Sequence, residues 1–280
     1  MASLVRRIKS ELFSEIKKLK IGGLISISLV GSFQRAEKLD AVNDVDLIII
    51  VRKLTPKVFN QINSGFRRIS KKLKFAGIRF TIENKIGPYK PNPVKRLKIV
   101  QLQILLYDIR KWRKIIKTPF AWECINFNQK LRGKSLRAIA NPSKLKAAAV
   151  MKNLQKLLMN LKKLKAKTRM YKIKGNEVVA ISTFMKLSKH NFAEWLNYNI
   201  ITSFLDYSRI PNPNLEKNKN VLIRIAEKIL PEDHYKTLKK SFVVKQKAKV
   251  GSKIKRRELE NLRKEGIKFI EFLISELKNK

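Results

Sequence analysis

The chain has 280 residues, enough for one sizeable core or two domains, and its 44% apolar content excludes disorder as the default state. Its charge is extreme: 64 Lys and Arg against 21 Asp and Glu leave a formal net charge of +43. A single cysteine, Cys124, excludes an internal disulfide or multi-cysteine metal site, and two histidines, His190 and His234, leave little for zinc.

In chain order, Leu4, Val5, Ile8, Leu12, Phe13, Ile16 and Leu19 recur at helical spacing and predict an amphipathic helix that Gly22-Gly23 ends. Residues 24–51 then read as two buried, β-branched strands. Between the strands lie Gly31-Ser32, Arg35 and Asp44-Val45-Asp46. Alternation puts Asp44 and Asp46 on one face of the second strand and Val45, Leu47 and Ile49 on the other. Two carboxylates side by side repel unless a cation sits between them, and such oxygen ligands suit Mg²⁺ bound through substrate phosphates. Gly31 lets a phosphate approach the backbone, and Ser32 supplies donors where the chain turns.

Thr55-Pro56 starts a basic helix carrying Arg67, Arg68, Lys71, Lys72 and Lys74. Residues 78–86 predict a strand with Arg79, Thr81 and Glu83 on its polar face, and GPYKPNP (87–93) predicts a loop. The next strand, 98–107, alternates Val100, Leu102, Ile104 and Leu106 against Gln101, Gln103, Leu105 and Tyr107. After a Trp- and Phe-rich stretch, helices are expected over 143–167, 188–207, 215–230, 232–249 and 253–280, with a turn at Gly175. The fold class is therefore α+β: a mixed sheet with flanking helices in 1–141, then an all-helical, basic domain in 142–280, divided near Asn141-Pro142.

The run VGSFQRAEKLDAVNDVDLIIIV resembles the nucleotidyltransferase superfamily of DNA polymerase β type, whose signature is Gly-Ser after one strand and Asp-hydrophobic-Asp on the next. Its wording is closest to the X-family DNA polymerases. The gap from Gly31 to Asp44 is slightly longer than in that family, and other branches of the superfamily vary there. The resemblance covers about Leu24 to Arg132 and implies a two-metal mechanism with three carboxylates, using two Mg²⁺ or Mn²⁺ ions. Two of the carboxylates are Asp44 and Asp46. Where the family carries the third, this chain has Gln103, and Glu83 is the acid on the polar face of the neighbouring strand; Asp108 ranks last. The resemblance further implies that Arg35 contacts the triphosphate. Phe127-Asn128-Gln129-Lys130-Leu131-Arg132 is similar to a family run that lines the nascent base pair from a helix, making Asn128 and Arg132 nucleotide-binding candidates; a plain amphipathic helix is the alternative.

Trp112, Trp122 and Trp195 could stack on bases, though a tryptophan more often packs in a core; His190 and His234 read as structural. A surplus of +43 repels itself unless a polyanion neutralises it, which points to nucleic acid. A lysine-rich compositional bias would supply the lysines but not the scarcity of acids. No apolar run spans a bilayer and no signal-peptide core is present, so the expectation is a soluble intracellular protein with no membrane partner. The leading functional expectation is a metal-dependent enzyme moving NMP from an NTP to a nucleic-acid end. The alternatives are a degenerate relative serving as a basic scaffold, as in a ribonucleoprotein, and nucleotidylation of a protein or small molecule.

Overall fold

The computed structural model describes residues 4–39, 42–83, 85–86, 98–140 and 144–279. Strands β1 (Leu24–Val30), β2 (Val42–Val51), β3 (Ile78–Glu83), β4 (Lys85–Ile86), β5 (Lys98–Asp108) and β6 (Asn128–Gly133) belong to the N-terminal part. Five of them form one sheet in the order β3-β5-β2-β1-β6. β2 and β3 run parallel to β5, whereas β1 is antiparallel to β2 and β6.

Strand alternation divides this sheet into two faces. Val45, Leu47, Ile49, Val100, Leu102 and Ile104 pack against helices α1 (Leu4–Lys17) and α2 (Pro56–Lys72) through Ile8, Leu12, Ile62 and Phe66. On the other face Ile48, Ile50, Leu105 and Tyr107 meet Trp112 of α3 (Ile109–Ile115) and Ala121, Cys124 and Ile125 of α4 (Pro119–Asn126). Local capping sets the helix starts. Thr55 accepts from Val58 N ahead of Pro56, and Asp108 accepts from Lys111 N at 2.8 Å, which makes Asp108 an N-cap.

The run from Phe127 to Arg132 corrects an expectation: it is a strand, not a helix. α4 ends at Asn126, and β6 then supplies the missing partner to the free edge of β1 while burying Leu131. An unpaired β1 edge would leave buried backbone groups without partners, and that outweighs the helical spacing of Phe127 and Leu131.

Helix α5 (Leu136–Ile139) still packs with α3 and α4 through Leu136, and the C-terminal part comprises α6 (Ala147–Lys162), β7 (Lys167–Lys174), β8 (Glu177–Phe184), α7 (Lys189–Ser208), α8 (Lys219–Ile229), α9 (Glu232–Lys249) and α10 (Arg256–Lys278). It is helical as expected except for one β-hairpin, β7–β8, which turns at Gly175 with φ 54°. α7 is the central helix, buried on nearly all sides and packed by α6, α9 and α10. Trp122 and Trp195 lie in this helical core and Trp112 in the sheet core, so all three tryptophans are packing residues. His234 stacks on Phe272 at 4.4 Å between ring centroids, in keeping with a structural role.

The hairpin and β4 form a second sheet, in the order β4-β7-β8. β4 leaves β5 and pairs with β7, Lys85 opposite Met170 and Ile86 opposite Arg169. Beyond Glu83, β5 loses β3 as a partner, and there the Tyr171 hydroxyl accepts from Leu106 N at 2.9 Å and donates to Leu106 O at 2.8 Å. The expected loop at 87–93 and the boundary at Asn141-Pro142 lie outside the described residues. No helix among the described residues is long and apolar enough to cross a membrane.

Candidate active site

Register across the sheet brings the sequence-derived acids into line. Asp46 lies opposite Val30 on one side and Gln103 on the other, Gln103 lies opposite Glu83, and Val30 lies opposite Asn128. Directly opposed residues share a face, so Asn128, Val30, Asp46, Gln103 and Glu83 form one line across five strands. A second line holds Asp44, Gln101 and Thr81. The lines follow Ile48, Ile50, Leu105 and Tyr107 on the α3–α4 face; Val30 still joins that apolar cluster, Gln101 and Gln103 are buried, and Asp44, Asp46 and Glu83 are half-buried.

The turn after β1 is built around Asp46. Gly31 has φ 78° and ψ −166°, a conformation essentially confined to glycine. A Cβ at Gly31 would overlap Oδ2 of Asp46 and lie 3.3 Å from its Cγ. Glycine is therefore needed twice, for its backbone angle and to leave room for the carboxylate. Ser32 is exposed at the start of a single 3₁₀ turn, Ser32–Arg35, whose Phe33 plugs the core. Lys9 of α1 holds the turn by donating to Gln34 O and Ala36 O, each at 2.9 Å, and its burial lowers the ammonium pKa.

Glu83 is oriented by a residue the sequence does not flag: Gln101 Nε2 donates to Glu83 Oε2 at 3.2 Å. Two strand spacings separate Glu83 from Asp46, roughly 10 Å between Cα atoms, and Gln103 stands between them. Among the described residues no group of three or more Asp, Glu, His or Cys gathers closely enough to hold a metal ion. The Asp44–Asp46 pair beside an exposed Gly-Ser turn suits Mg²⁺, which completes its shell with water and phosphate oxygens rather than a protein cage.

The nucleotide-binding candidates separate. Arg35 is exposed and ion-pairs with Glu216 at 3.2 Å, joining the turn to the helical part. Asn128 shares the Asp46 line, with its Nδ2 donating to Ile125 O at 2.9 Å. Arg132 lies opposite Ile27 on the α1 side of the sheet, where Nη1 donates to the carbonyls of Lys17 and Leu19. It ties down the C-terminus of α1, away from the carboxylates. Cys124 lies on the buried face of α4; burial, then the charges of Glu123 and Asp46, push its thiol pKa well up and leave it inert as a nucleophile.

Behind α4 lies a buried polar group that only long-range packing assembles. Arg209, 1% exposed, pairs with Glu123 at 3.2 Å, donates through Nε to Leu215 O at 3.0 Å and stacks over Trp122 and Phe127. Asp206 accepts from Asn153 at 2.7 Å, and burial raises its carboxyl pKa to about 7 despite that bond.

The backbone has a solved counterpart. It matches the crystal structure of the spectinomycin adenyltransferase AAD(9) from Enterococcus faecialis with ATP and spectinomycin, at a TM-score of 0.51 and 13% identity. The match covers 96% of this chain and 99% of that one. The chain has the nucleotidyltransferase fold. No family model matches the sequence, and no curated protein matches it significantly. The full-length match spans both the sheet and the helical part. At 13% identity the match shows the fold.

Proposed function

We propose that the protein is a Mg²⁺-dependent nucleotidyltransferase that moves a nucleoside monophosphate from an NTP to the end of a nucleic acid; Mn²⁺ would serve the same ligands. The observation that carries this reading is Asp46, seated against Gly31 on the same face as Asp44, in a chain with the nucleotidyltransferase fold. Bound there, the metal would neutralise phosphate charge and acidify the attacking hydroxyl. Asp44 and Asp46 would hold it, and Glu83, oriented by Gln101, is the nearest acid in register to act as third carboxylate. Gly31 and Ser32 leave room and donors for the phosphates. Arg35 would exchange Glu216 for the triphosphate, an exchange that costs little because the ion pair is exposed. Asn128 closes the same line, whereas Arg132 serves the α1 terminus. The surplus of +43 favours a polyanionic acceptor.

A second reading, transfer to a small molecule, is favoured by the neighbour solved with ATP and spectinomycin. A third, a basic scaffold that has lost transfer, is favoured by Gln103 standing between Asp46 and Glu83. Incubation with α-labelled NTPs and RNA, DNA, protein or small hydroxylated acceptors, each with and without EDTA, separates the three. EDTA-sensitive label on RNA or DNA supports the proposal, label on the small molecule supports the second reading, and tight nucleic-acid binding without any transfer supports the third.

A further inference from the structure

The β7–β8 hairpin interrupts an otherwise helical region and carries an unusual surface. From 162 to 189 the chain has nine Lys or Arg and a single acid, Glu177. Phe184 ends β8 with 61% of its surface exposed. A lone exposed apolar residue is ordinary. Here, however, two ammonium groups attend the ring: Lys165 Nζ at 5.2 Å and Lys167 Nζ at 5.3 Å from its centroid. Register puts Phe184 opposite Lys167, and Ser182 opposite Arg169 one row further along the same face. Arg169 is fixed there between Tyr107 and Tyr171, to whose hydroxyls it donates at 3.2 and 3.3 Å. Rows on one face of a strand repeat about every 7 Å, so half-buried Arg169 anchors the inner row while exposed Lys167, with Lys165, brings positive charge beside the open aromatic ring.

We propose that this face of the hairpin is a docking site for single-stranded nucleic acid, with one base stacked on Phe184 and the flanking phosphates met by Lys165 and Lys167. A base in a duplex keeps both faces stacked on its neighbours, so a ring platform selects an unpaired base. Placement gives the site a use. β4 continues the line of β3 two residues beyond Glu83 and pairs with Met170 and Arg169, so the hairpin is fastened to the edge that carries Glu83. The inference rests on the reading that the acceptor is a nucleic acid and narrows it to a single-stranded end.

The test is fluorescence anisotropy of a labelled single strand of about ten nucleotides and of its duplex, in EDTA without NTP. Because no catalysis is involved, failure here is distinct from failure of the transfer assay. Phe184→Ala weakens single-strand binding roughly 5- to 100-fold, the range stacking supplies, and leaves duplex binding almost unchanged. Phe184→Trp retains or improves single-strand binding, and Lys165→Gln with Lys167→Gln flattens the salt dependence by about 1.4 units of slope. Equal loss for single strand and duplex, or unchanged single-strand affinity in Phe184→Ala with native circular dichroism, overturns the proposal. So does concentration-dependent dimerisation that Phe184→Ala abolishes, which would assign the face to a second copy.

Discussion

Replacing Gly31 with alanine tests whether the site is built around Asp46 as the geometry requires. Two effects add. Holding a non-glycine residue at φ 78°, ψ −166° costs about 1–3 kcal/mol of backbone strain. The new Cβ also overlaps Oδ2 of Asp46, and moving that side chain or its strand costs roughly 1–3 kcal/mol more. Gly31→Ala is therefore expected to lower stability by about 2–6 kcal/mol, read as a fall in the urea midpoint of roughly 1–2 M. A double-mutant cycle separates the two effects. In an Asp46→Ala background the overlap is gone, and only the strain of about 1–3 kcal/mol remains. The same cost in both backgrounds would refute the contact with Asp46. A Gly31→Ala stability within about 0.5 kcal/mol of the parent would refute the backbone assignment as well.

Glu83→Gln and Gln103→Asp discriminate between positions for the third carboxylate. If Glu83 serves, the first substitution cuts NTP transfer by about 100-fold or more and the second changes little; a rise in steady-state rate for Gln103→Asp with little change for Glu83→Gln assigns the role to position 103. Asp206 makes stability fall with pH: its folded pKa of about 7 exceeds the ordinary carboxyl value of 3.8, so between those values the folded state holds a proton that the unfolded state has released. Thermal melts should show Asp206→Asn gaining on the parent as pH rises from 4 to 7, by on the order of 4 kcal/mol at pH 8, with no gain below pH 4; a pH-independent difference contradicts the burial argument. Tyr171→Phe strips Leu106 N–H and C=O of their partner and is expected to cost about 1–3 kcal/mol by urea titration, against almost nothing if water replaces the hydroxyl.

The half of the site on β1 and β2 is legible in the sequence because period-two alternation is strict there: once Val45, Leu47 and Ile49 are buried, Asp44 and Asp46 must share the opposite face. Glu83 is legible for the same reason, since parallel register with β5 carries the line from Asp46 through Gln103 to it. Arg132 is not, because its role is to satisfy the last carbonyls of α1, more than a hundred residues earlier. β6 is misread because six residues with two apolar positions fit a helix as well as a strand, and only the free edge of β1 decides between them. The hairpin escapes notice because both its faces are largely exposed and lysine-rich, which blurs the alternation of Met170, Tyr171, Val178 and Ile181, although Gly175-Asn176 between β-branched runs is a turn signal. The Glu123–Asn153–Asp206–Arg209 group joins three helices, and no local spacing reveals it.

In the proposed function Asp44 and Asp46 carry metal-dependent transfer rather than the fold. The direct measurement is incorporation of α-labelled NTP into a single-stranded acceptor by the parent and by the Asp44→Asn, Asp46→Asn double variant, in Mg²⁺ and in EDTA, alongside acceptor binding. Label is expected only for the parent in Mg²⁺, with folding and salt-sensitive binding kept in the double variant because amides preserve the shape of the two side chains. Label transferred by the double variant, or by the parent in EDTA, would contradict that function.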